Sequence, residues 1–170
     1  MNVTIRTDRL ELRQFRDDDA EFILELLSEP EFRRFIGDKG VRSLDDACDY
    51  LQQGPIASYA EHGFGILCVN CAKSDDALGM CGLVWRPEFD DPDLGFAFLA
   101  RHWSNGYAGE AARAVLEYAR VELGLSRIIA MADDANRASL RVLEKLGFEF
   151  ETRVTMPGET SDVGRYAIEF

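Results

Sequence analysis

No stretch of this chain approaches the roughly 18 apolar residues of a membrane span, and the opening MNVTIRTDRLELRQ carries charge where a signal peptide needs an apolar centre. The expectation is a cytoplasmic protein with no membrane partner. Histidine is scarce. His62 and His102 have no second Cys/His group or triad partner recognisable in sequence, and no G-x-S-x-G occurs. Positive charge is also short: 19 Lys and Arg stand against 31 Asp and Glu, a net charge of -12 that opposes nucleic acid and anionic lipid. Of only four cysteines, Cys68 and Cys71 form a C-x-x-C, but FGILCVNCAK reads as a strand, which turns residues three apart to opposite faces. No metal is expected there. Repeats, low-complexity tracts and linkers are absent as well, so 170 residues with 46% hydrophobic content predict a single domain over 1–170.

What is present is a succession of short patterned elements. RLELRQF alternates as a half-buried strand, and Asp17 to Asp19 open a helix that buries Phe22, Ile23, Leu26 and Leu27. Ser43 begins a second helix with Leu44, Ala47, Cys48 and Leu51 on one face. Strands follow near 64–71, 78–86 and 93–99, then a helix over 108–123 whose Ala108, Ala111, Ala112, Val115 and Ala119 face inward, with Glu110, Arg113, Glu117 and Arg120 as an exposed row. A strand at 127–132, a helix at 136–146 closed by Gly147, and strands near 148–155 and 163–169 complete an α+β or α/β domain on a mixed sheet.

The junction RHWSNGYAGEAA, residues 101 to 112, puts Gly106 and Gly109 at the mouth of a helix. A helix start has free N–H groups and positive potential, which suits a phosphate. No G-K-[ST] or G-x-G-x-x-G is present for a P-loop or a dinucleotide fold. Gly106 to Gly109 matches a KH-type G-x-x-G literally, against which the acidic charge argues. Glycines needed only for a tight turn or helix packing remain open. Downstream, NRASLRVLEKLGF starts a helix at Asn136, a good N-cap type, and places Ser139 one turn on.

Together these two stretches resemble the coenzyme A-binding elements of the GNAT acyltransferase superfamily. WSNGYA at 103 to 108 keeps the glycine and final Ala of the family's loop but has Trp103 where the general pattern has Gln or Arg, as in the RimJ/RimL-like branch that acetylates ribosomal-protein N-termini. Ser104 stands where that branch usually has glycine.

The resemblance implies a three-layer α/β fold: a mixed, mostly antiparallel central sheet with two splayed parallel strands, flanked by helices. It implies acetyl-coenzyme A as cosubstrate and direct transfer to an amine acceptor, either a protein or peptide N-terminus or a small-molecule amine. A non-catalytic acyl-coenzyme A sensor is the alternative, and a homodimer is left open. Cofactor contacts are expected from Ser104, Asn105, Gly106, Tyr107, Ala108, Gly109, Asn136 and Ser139, with backbone N–H groups around Phe98 and Leu99 polarising the carbonyl. Arg137, Arg141 and Lys145 could add positive charge nearby, against an ordinary solvated helix face. Many relatives carry a tyrosine acid where this chain has Leu143, so Ser139 is the expected acid; Asp93 is the expected base, needing burial or a relaying water to act.

Overall fold

The computed structural model describes residues 2–170. The alternating segments become β1 (Thr4–Arg6), β2 (Leu10–Arg13), β3 (Ile66–Cys71), β4 (Ala77–Val84), β5 (Asp93–Phe98), β6 (Arg127–Ala132), β7 (Glu149–Thr155) and β8 (Asp162–Glu169). They form one sheet in the order β1-β2-β3-β4-β5-β6-β8-β7. Every neighbouring pair is antiparallel except β5 with β6, as the expected mixed sheet requires.

That parallel pair is barely a pair. Asp93 opposite Ile129 is its single registered position, supported by Ile129 N–H donating to Pro92 O at 3.0 Å. Beyond it the two strands diverge, which leaves backbone groups of β5 without a strand to bond.

Helices cover both faces: α1 (Ala20–Ser28), α2 (Pro30–Phe35), α3 (Leu44–Leu51) and α4 (Ala57–His62) precede the central strands, and α5 (Tyr107–Val121) and α6 (Arg137–Leu146) follow them. Strand alternation sorts side chains between two cores. Leu67 and Val69 of β3 join Ala112 and Val115 of α5, while Cys68 between them joins Ile23 and Leu26 of α1 and Leu51 of α3. Cys71 packs on the α5 side, opposite Cys68. Gly82 allows β3 and β4 to close up here, since a Cβ on it would lie 2.3 Å from Gly65 O. Arg13 reaches from β2 to Asp19 with two 2.8 Å hydrogen bonds, fixing the entry to α1.

Several elements depart from the sequence expectation. Asp17–Asp19 is a separate 3-10 turn before α1. Pro30 starts α2 as its N1 residue, a position where the missing N–H costs nothing. Gln52–Ile56 is a wide π turn carrying Pro55, and α4 continues from it to Gly63, so a Gly-Pro that reads as a helix stop is absorbed by local widening. Glu110 leaves the exposed row expected for it and binds the β1–β2 turn, as described below.

Candidate active site

The turn between β5 and α5 is built to present N–H groups. Gly106 is the N-cap of α5 at φ +79°, and the first backbone hydrogen bond into the helix runs from Glu110 N–H to Gly106 O at 3.1 Å. No N–H from Ser104 to Gly109 donates to an acceptor among the described residues. Unpaired N–H groups at a helix start are the arrangement that suits a negatively charged oxygen. Gly109 adds room, because a Cβ there would meet nothing within 4 Å.

The loop is held from behind. Arg9 donates from Nη1 to Asn105 O at 2.7 Å and from Nε to Glu110 at 2.6 Å, and Thr7 donates to the same carboxylate at 2.6 Å. The Arg9 guanidinium also lies 4.7 Å from the centre of the Tyr107 ring. Trp103 ties the front of the turn to the end of β5 through its indole N–H, 2.8 Å from Phe98 O. Ser104 adopts φ +63°, the left-handed region that favours glycine. Ser104→Gly relieves that strain and should raise stability by up to about 1 kcal/mol after the cost of a more flexible unfolded chain. Chemical denaturation checks this, and a lowered midpoint contradicts it.

A cavity of about 740 Å³ lies in the splay, walled by Phe96 and Phe98 of β5, the 103–109 turn and one face of α6. Of the residues singled out in sequence, Phe98, Ser104, Gly106, Tyr107, Ala108, Gly109, Asn136 and Ser139 line it. Asn105 faces away from the cavity wall, its side-chain amide donating to His102 O at 3.0 Å and Trp103 O at 3.1 Å. Asn136 caps α6, accepting from Ser139 N–H at 3.2 Å. The Ser139 hydroxyl has no protein partner among the described residues, so the local helix bond that would occupy it is not made. Arg137, Arg141 and Lys145 recur every fourth residue on the cavity wall, and none has an ion pair among the described residues. In a chain of charge -12 this row supplies the local positive potential that the composition lacks.

Besides Asn105, two candidates are placed elsewhere. Leu99 spends its N–H on Leu78 O at 3.0 Å and is fully buried, so it is turned toward β4 and away from the splay. By strand alternation Phe98 is then the residue whose backbone faces the opening, in agreement with its carbonyl meeting Trp103. Asp93 does not line the cavity; it is 4% exposed at the closed end of the splay, 2.7 Å from Arg86 Nε. Burial pushes its pKa up to about 6 against the pull of Arg86 and a hydrogen bond from the Met131 backbone. On the described residues no group of three or more His, Cys, Asp and Glu could hold a metal ion, and no helix is long and apolar enough to cross a membrane.

Residues 9–149 match the family described as an acetyltransferase (GNAT) domain. The chain belongs to the GNAT acetyltransferases. It is 33% identical over 149 residues to the uncharacterized N-acetyltransferase YoaA of Bacillus subtilis, covering 86% of this chain and 83% of that one. A GNAT-family acetyltransferase of Bacillus anthracis superposes with a TM-score of 0.81 at 28% identity, over 98% of each chain. RimL, the ribosomal L7/L12 alpha-N-protein acetyltransferase crystallised with coenzyme A, superposes with a TM-score of 0.83 over 98% of each chain at 17% identity, a likeness of fold.

As a GNAT N-acetyltransferase, the protein has supports that the motifs alone did not reveal. Arg9 and Glu110 are 101 residues apart and carry no local signature. Trp103 was legible as a departure from the family's general loop that the RimJ/RimL-like branch shares, while the structure gives its indole N–H a partner. His102 also lines the cavity, although nothing in its sequence surroundings marks it.

Proposed function

We propose that this GNAT enzyme transfers the acetyl group of acetyl-coenzyme A to the α-amine of a protein or peptide N-terminus. The observation that carries the cofactor assignment is that the turn at 104–109, whose N–H groups have no acceptor among the described residues, and Arg137, Arg141 and Lys145 of α6 line one cavity. The N–H groups hold the pyrophosphate and Arg137, Arg141 and Lys145 draw in the remaining phosphate charge. When bound, acetyl-coenzyme A supplies an acyl thioester, whose C–S bond breaks as the C–N amide bond forms.

In this reading Phe98 N–H, turned into the splay, donates to the thioester carbonyl where negative charge develops. Ser139, with its hydroxyl uncommitted, gives a proton to the departing thiolate. Asp93 is engaged by Arg86 away from the cavity, so the amine arrives neutral and loses its proton to solvent. That condition selects the acceptor. At pH 7 about a tenth of an α-amine of pKa near 7.7–8.0 is neutral, against well under about a thousandth of a lysine amine near 10.4. The likeness to RimL supports an N-terminal acceptor at the level of the fold.

Peptides with one free N-terminus and one lysine decide the matter. Mass spectrometry should locate the acetyl group on the α-amine, with the advantage over lysine shrinking as pH rises. Modification mainly at lysine, acetylation confined to small amines, or binding without turnover each overturns the assignment.

A further inference from the structure

The cavity is walled from both faces of the sheet. Phe32 of α2 packs in the core shared with α1 and α3, whereas Leu143 of α6 packs in the core beneath α5, so the two helices that line the cavity stand on opposite faces. The α6 side carries Arg137, Arg141 and Lys145. The α2 side has a different chemistry: Phe32, Phe35 and Ile36 line it, and strand alternation turns Ala97 toward it from between Phe96 and Phe98.

Two of these apolar side chains are not explained by packing. Phe35 and Ile36 belong to neither core, and Ile36 is 41% exposed at the end of α2. Apolar groups left on the wall of an open cavity gain when a ligand covers them. Ala97 contributes only a methyl group and leaves room for one.

Carboxylates share this wall. Glu29 lines the cavity with no ion pair among the described residues, its two oxygens accepting the Ala100 N–H at 3.2 and 2.9 Å. Glu31 lines it too, with Arg34 at 3.9 Å, beyond hydrogen-bond reach. Arg34 offsets part of that charge, but it is largely exposed, lies 4.6 Å from the centre of the Phe35 ring and does not line the cavity.

We propose that the α2 side is the subsite for the first residue of the acceptor, so that the enzyme favours peptide N-termini beginning with a large apolar residue such as Leu, Met or Phe. The inference deepens the peptide-acceptor reading and rests on it. A ligand for this wall must cover Phe35 and Ile36 and tolerate two carboxylates. A peptide beginning with an apolar residue meets both conditions, since its terminus is mostly protonated in solution and is drawn toward negative charge on approach; an anionic ligand meets only the first. Reach selects the first residue over later ones. Its α-carbon is one bond from the reacting amine, and Ala97 on this wall directly precedes Phe98, whose N–H meets the thioester in that reading.

The test uses two peptides of equal charge, Leu-Ala-Ala-Ala-amide and Ala-Ala-Ala-Ala-amide, with kcat/KM measured for each from thiol release. The Leu peptide should be preferred by about tenfold or more, equivalent to about 1.4 kcal/mol and on the scale of burying one such side chain. Phe35→Ser and, separately, Ile36→Ser should each lower that ratio by about threefold or more, through the Leu peptide. A variant that merely loosens α2 lowers both peptides together and leaves the ratio. Should Phe35→Ser fail to fold, Ile36→Ser at its exposed position decides alone. Equal kcat/KM for the two peptides, or a ratio unchanged in every folded variant, overturns this inference and leaves the N-terminal reading standing. Turnover of neither peptide overturns both.

Discussion

Gly106→Val should weaken coenzyme A binding by about 10²-fold or more while the domain stays folded. Gly106 holds φ +79°, where a β-branched residue is strained by about 1–3 kcal/mol. The added Cβ would also stand 3.4 Å from Arg9 Nη2, the side chain that fixes Asn105 O. Relief of the backbone strain requires the turn to rotate, which displaces the N–H groups it presents. The core beneath is untouched, because Ala111, Ala112 and Val115 pack α5 from the next turn onward. Calorimetry reads the affinity and a thermal melt confirms the fold; unchanged affinity in a folded variant contradicts the assignment of the turn.

Ser139→Ala should lower kcat by about 10²-fold, the usual scale for a general acid, with affinity for coenzyme A nearly intact. Ser139 lines the cavity, and its hydroxyl is free of the helix backbone. Its structural contribution is made by its N–H, which Asn136 accepts and alanine retains. Single-turnover kinetics isolate the chemical step. Normal turnover there returns Ser139 to the role of a helix residue and moves proton delivery to solvent.

The order of elements and the two cofactor stretches were legible in the sequence because each is a local pattern. Gly106 before an Ala-rich periodic run marks a strand-to-helix turn, and Asn136 before RASL marks a capped helix. α4 was hidden by Pro55, since a proline is absorbed in a π turn only when the surrounding packing selects that geometry. β1 has three residues, too few to show a period. Side-chain partnerships were the least accessible part. Asp93 reads as an available base at a strand start until Arg86, seven residues earlier, is seen 2.7 Å away. Leu99 reads as a neighbour equivalent to Phe98 until the register with β4 turns its N–H toward Leu78. Neither relation has a sequence spacing of its own, because both follow from which strand edge is paired and which is open.

The most direct measurement is amide NMR during titration with coenzyme A. The backbone N–H signals of residues 104 to 109 should shift together and saturably, with Ser139 and the α6 residues Arg137 and Arg141 following the same binding curve. Saturable binding that leaves the 104–109 amides unmoved would contradict the site.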